Sequence, residues 1–169
     1  MSDTRTVRPS YRRGLASALA LALLVVGAAR ADAQHVQTFA GSSCQTSGSA
    51  QSLYYSGVIV ANRNAATTSA VCPLVRQNPL QGWLHIFVHV RDRHSTQNIT
   101  CVAQARDEAG GSGWSESRST IGEGEQMLVF NAPAFNPPHF GPYVVVCSLP
   151  PMEEVNQPSY LSSILMEEL

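Results

Sequence analysis

The sequence predicts a single antiparallel β-sandwich of seven or eight strands, stapled by two disulfides. Three observations carry that expectation. Residues 83–91 (WLHIFVHVR) alternate strictly, with Leu84, Ile86, Val88 and Val90 on one face and Trp83, His85, Phe87, His89 and Arg91 on the other. A period of two held over nine residues belongs to a strand. Other short β-branched segments recur between Gly/Pro-rich turns, with no sustained helical period to compete with them. Finally, four cysteines, Cys44, Cys72, Cys101 and Cys147, follow an N-terminus that reads as an export signal.

Arg5, Arg8, Arg12 and Arg13 form a basic head, and residues 15–29 are uncharged and mostly apolar. Ala31-Asp32-Ala33 then supplies the small-x-small pattern of signal-peptidase cleavage. A 15-residue run is shorter than the roughly 20 residues a membrane helix needs. The expected mature chain starts at Gln34, works in the periplasm or outside the cell, and keeps no membrane span. Arg12-Arg13 does not make a twin-arginine signal, because Tyr11 and Gly14 flank it and a disulfide domain suits export as an unfolded chain.

Residues 34–52 are rich in Gly, Ser, Gln and Thr and are expected to form an extended lead-in with little core of its own. Residues 53–60 (LYYSGVIV) read as the first strand, with Gly57 as a bulge. Residues 67–75 give a second strand, which Pro73 marks as an edge or an end. Residues 83–91 and 98–106 are expected to pair as a hairpin across the turn at 92–97. The loop 107–113 (DEAGGSG) precedes a weak strand at 114–120, a turn at 121–125 and a short strand at 126–130. Four prolines in residues 131–142 exclude regular structure there, and residues 143–149 form a buried strand. Residues 160–165 fit a last strand, although Leu161, Ile164, Leu165 and Leu169 also fit one helical face.

Three cysteine pairings are open. Cys44–Cys72 and Cys101–Cys147 are favoured, the second because both cysteines lie in expected core strands and can meet across a buried layer. Zinc ligands normally come in close pairs, whereas these cysteines are separated by 28, 29 and 46 residues. From residue 34 on, six arginines face ten acids and there is no lysine, a net charge of −4. That balance excludes a clustered basic surface for nucleic acid and a side-chain Schiff base.

The candidate sites are few. His85, His89 and His94 crowd around Asp92, but on a strand His85 and His89 stand roughly 13 Å apart, too far for one ion. Ile86 also occupies the glutamate position of a zinc-protease motif. No metal site is expected, with His139 the one distant ligand that would alter this. Around Ser112 the chain approaches a nucleophile elbow, but Trp114 stands where the last glycine belongs. Asp107 and Glu108 lack the alternating ligand pattern of a calcium loop. Asn98-Ile99-Thr100 is a glycosylation sequon at the start of an expected strand. No catalytic residue and no cofactor is therefore assigned. The exposed-face aromatics, Trp83 and Phe87 with Tyr54 or Tyr55, could instead form a stacking platform for sugar rings.

At LYYSGVIVAN, AVCPLVR, HVRDR, GWSESRST and YVVVCSLPP the chain resembles a group of small exported, four-cysteine, β-rich proteins of GC-rich Gram-negative bacteria. The likeness spans residues 53–151. It implies export and a β-rich fold, and it brings no activity or catalytic residue with it. The function expected from sequence is a non-enzymatic binding or structural role at the envelope or outside the cell. Extracellular polysaccharide or another envelope protein would be the partner. A carbohydrate-binding module with an aromatic platform is the alternative, and an exported hydrolase ranks third.

Overall fold

The computed structural model describes residues 35–47, 53–77, 83–106, 112–132 and 142–169. The expected signal segment, Asp107, Glu108 and His139 lie outside the described residues. Among the described residues, eleven strands form two antiparallel sheets: β1 (His35–Ala40), β2 (Gln45–Thr46), β3 (Tyr54–Ser56), β4 (Ile59–Ala61), β5 (Thr68–Leu74), β6 (Leu84–Asp92), β7 (Thr100–Arg106), β8 (Ser112–Ser119), β9 (Gly124–Ala132), β10 (Tyr143–Leu149) and β11 (Tyr160–Glu168). The first sheet runs β3-β4-β11-β6-β9, with β1 also on β11, and the second runs β2-β5-β10-β7-β8.

The alternation that marks β6 in the sequence is realised residue by residue. Leu84, Ile86, Val88 and Val90 are buried, while His85, Phe87, His89 and Arg91 are half-exposed on the outer face. Leu161, Ile164 and Met166 of β11 and Leu128 and Phe130 of β9 complete a bulky inner face on the first sheet. The second sheet meets it with small groups along the middle of its strands, Ala70, Cys72, Cys101, Ala103, Ala105, Val145 and Cys147, and with larger ones, Leu74, Tyr143 and Leu149, at the strand ends. Large against small side chains let the two layers approach closely, and each buried aliphatic contributes roughly 1.5–3 kcal/mol.

Both favoured disulfides form, Cys44–Cys72 and Cys101–Cys147. Their placement differs from the expected bridge across a buried layer. Cys101 and Cys147 are direct cross-strand partners on β7 and β10 of one sheet, with Cα atoms 4.0 Å apart. Their sulfurs sit on the inner face and fill core space.

Three other expectations are revised. Residues 53–60 are a hairpin rather than one bulged strand. Gly57 has φ +59 at the first central position of the two-residue loop joining Ser56 to Ile59, the backbone that a type II′ turn needs. The strands β6 and β7 are not a hairpin either, since β6 belongs to the first sheet and β7 to the second. The turn between them is an arch, and Asp92 builds it by accepting the N–H groups of His94 and Ile99. The last strand expected at residues 160–165 does form and runs on to Glu168, with β11 central to its sheet, which decides against the helical period.

The third revision concerns the lead-in. Its residues enter both sheets, β1 pairing with β11 from His35↔Glu168 to Ala40↔Ser163, and β2 pairing with β5. Between them a 3-10 turn, Gly41–Ser43, passes over β11 where its outer neighbour changes from β4 to β1. A Cβ on Gly41 would lie 2.3 Å from the backbone oxygen of Leu161. Replacing Gly41 by Ala should therefore lower stability by about 1–3 kcal/mol, the cost of forced overpacking. Urea unfolding measures this. An unchanged midpoint would mean that the segment does not dock as described.

Candidate functional site: the outer face of the β11 sheet

The registers arrange the outer face of the first sheet in rows. Asn131, His85, Glu167 and Val36 form one row; Val129, Phe87, Leu165 and Thr38 the next; then Met127, His89 and Ser163. The last row is the longest: Glu125, Arg91, Tyr160, Ala61 and Tyr54, from β9 through to β3. Between the last two rows β11 carries a bulge at Leu161/Ser163. Ser162 sits in it and donates its hydroxyl to the carbonyl of His89 at 3.1 Å. Bulges re-aim neighbouring side chains, and this one lies beside Tyr160.

Two hollows open here. One, about 420 Å³, is walled by Ile59, His89, Arg91, Glu125, Met127 and Tyr160. The other, about 220 Å³, is walled by Tyr54, Ile59, Arg63, Arg93, Asn156 and Tyr160. Ile59 and Tyr160 line both, so the two hollows adjoin and together make up a furrow across the strands. Five strands at about 4.8 Å spacing span roughly 19 Å. Arg91 is paired with Glu125 at 3.0 Å. The guanidinium of Arg63 lies 3.5 Å above the ring of Tyr54.

The four aromatics singled out from sequence do not form one compact platform. Tyr54 faces the furrow and is 37% exposed. Tyr55 pairs with Val60 and shares its face, so it points to the core side and is exposed only because β3 is a sheet edge. Phe87 stands in the middle of the outer face between Val129 and Leu165. Trp83, 54% exposed, precedes β6 and lies roughly 26 Å along the strand from the row of Tyr54 and Arg91. Tyr160, which sequence reasoning left unassigned, is the aromatic at the centre of the furrow.

The second sheet presents a different surface. Its outer face carries Val102, Gln104, Val144, Val146, Ser148, Ser115 and Ser117, and no aromatic among the described residues.

The histidine cluster does not converge. His85 and His89 stay on the outer strand face, with His85 Nδ1 3.5 Å from Glu167. His94 sits in the arch, where its Nδ1 accepts the N–H groups of Thr96 and Gln97. Asp92, 1% exposed, accepts from the N–H groups of His94 and Ile99 and from the hydroxyls of Ser159 and Thr120. It anchors loops and lines no ligand site in the furrow. Among the described residues, no three His, Cys, Asp or Glu side chains are placed to hold a metal. Ser112 begins strand β8, so the strand–turn–helix geometry of a nucleophile elbow does not form there.

No family model matches the chain, and no curated protein sequence matches it. Solved structures do. A xylan-binding module, CBM15, has a TM-score of 0.50 at 12% identity, covering 80% of this chain and 97% of the module. The likeness is one of fold. The C-terminal CBM6 of LamC, a laminarinase from Zobellia galactanivorans, has a TM-score of 0.47 at 10% identity, covering 79% of this chain and all of that module. The CBM36-1 domain of a xylanase from the hindgut metagenome of Trinervitermes trinervoides has a TM-score of 0.46 at 8% identity, covering 80% and 98%.

Proposed function

We propose that this chain is an exported, non-enzymatic domain that binds polysaccharide in the furrow on the outer face of the β11 sheet. The observation that carries the reading is segregation. Tyr54, Phe87 and Tyr160 collect on one outer face, where a furrow runs, and the other outer face carries hydroxyls, small aliphatics and Gln104, with no aromatic among the described residues. Sugar rings offer apolar C–H faces ringed by hydroxyls. Tyrosine faces meet the first, and the polar walls His89, Arg91, Glu125 and Ser162 meet the second. The fold shared with a xylan-binding module supports the reading, and so do two disulfides, which suit an oxidising compartment.

Affinity electrophoresis against a panel of soluble polysaccharides, including xylan, laminarin, mannan and polygalacturonate, tests the proposal. At least one polymer should retard the protein. Tyr160→Ala should weaken that retardation about tenfold, the equivalent of about 1.4 kcal/mol. Tyr55→Ala, on the other side of the sheet, should leave it unchanged. The export half is tested by intact mass, which should show an exported product starting at Gln34. A membrane-retained full-length chain would contradict it.

A further inference from the structure

We infer that the β3–β4 end of the furrow reads acidic sugars, with Arg63 and Arg93 receiving a uronate carboxylate beside the rings of Tyr54 and Tyr160. The inference rests on the saccharide-binding reading and names the ligand class of that site.

The two halves of the furrow differ in charge. In the larger hollow the arginine, Arg91, is neutralised by Glu125 at 3.0 Å. The smaller hollow is walled by Arg63 and Arg93 and by no carboxylate among the described residues. Each of these arginines is held by a neutral group. Arg63 lies over the ring of Tyr54, its Cζ 3.5 Å from the centroid, a contact that restricts the guanidinium without neutralising it. Arg93 donates from Nη1 to the side-chain oxygen of Gln157 at 2.5 Å. Gln157 in turn closes a tight turn, its N–H bonded to the carbonyl of Glu154 at 3.1 Å, with Asn156 at φ +65 in the third position. That turn also supplies Asn156 to the hollow wall.

A guanidinium presents its N–H groups in a planar fork matched to a carboxylate. Two such groups beside tyrosine rings therefore fit a ring that carries a carboxylate. Glu123, Glu153 and Glu154 line a neighbouring hollow that shares Arg93 with this one. Residues 34–169 carry six arginines against ten acids, so the net field opposes a polyanion. A preference for acidic polymer must then arise locally, at this end of the furrow.

The test titrates the full chain, folded with its disulfides, with two acidic polymers, polygalacturonate and glucuronoxylan. Each is paired with its own derivative in which the carboxylates are esterified or reduced. The expected result is binding to at least one acidic polymer about tenfold tighter than to its neutralised derivative. Arg63→Gln and Arg93→Gln should each remove most of that discrimination, with melting curves confirming that both variants remain folded. Equal affinity for an acidic polymer and its neutral derivative would overturn the inference and leave saccharide binding standing. A discrimination that survives both substitutions would overturn it too. Failure to bind any polymer, acidic or neutral, would remove the reading beneath it.

Discussion

Replacing Cys101 and Cys147 together by alanine should lower the stability of the domain by about 4 kcal/mol. The bond joins paired positions on β7 and β10 and spans 46 residues of sequence that include β8 and β9. Those two strands lie on different sheets. The link therefore restricts the unfolded chain over a segment that must fold onto both layers. The Cys44–Cys72 bond spans 28 residues, for which the same chain-entropy relation gives about 3.6 kcal/mol. It ties the two-residue β2 to β5 at the rim of the second sheet, so its loss leaves the central strands joined. Denaturant unfolding of both double variants compares them, and the Cys101/Cys147 pair should show the larger drop. The reverse order would contradict the placement of β7 and β10 at the centre of the sheet.

The second large effect lies at the other end of β11. Glu168 is fully buried, accepts the N–H of Gln77 at 2.9 Å, and faces Arg76 at 3.9 Å. Arg76 lies against the ring of Tyr143, 5.4 Å from its centroid, and donates to its hydroxyl at 3.4 Å. Burial pushes the Tyr143 phenol above its ordinary range, and the Arg76 charge offsets part of that rise. Glu168→Ala would leave the guanidinium buried without the carboxylate it faces, and breaking such a pair costs about 3–5 kcal/mol. The double variant Arg76→Met/Glu168→Leu should recover much of the loss, because a hydrophobic replacement removes both desolvated charges at once. Urea midpoints for Arg76→Met, Glu168→Leu and the double variant give the coupling directly. A Glu168→Ala loss below about 1 kcal/mol would show that the pair is effectively solvated.

The local periods of this chain were legible, and the partnerships mostly were not. The alternation of β6 states that a strand exists and which face is buried. It does not state whether the next strand lies beside it or in the other layer. That choice is made by Asp92, whose carboxylate gathers the N–H groups that turn the chain into an arch. Likewise the cysteines could be paired, yet period alone does not separate a cross-strand bond from a bridge between sheets. The lead-in was misread because Gly and Ser suggest looseness. Gly41 is instead a position where two backbones come too close for a Cβ.

In the furrow, Tyr54 was found because aromatics in a strand are conspicuous. Tyr160 was not, because residues 160–169 satisfy both a strand and a helical period, and without β11 in place its ring has no assigned face. Arg63 and Arg93 carry no local pattern at all. They meet at one hollow through the register of β3, β4, β11 and β6, which is a property of long-range pairing.

Backbone amide shift mapping during titration with a bound oligosaccharide tests the central claim most directly. Perturbations should concentrate on β3, β4, the bulge of β11 and the facing parts of β6 and β9, at Tyr54, Ile59, His89, Arg91, Met127, Tyr160 and Ser162. The outer face of the second sheet, including Val102, Ser115, Ser117 and Val146, should stay silent. Perturbations centred on that second face, with the furrow unmoved, would contradict the account.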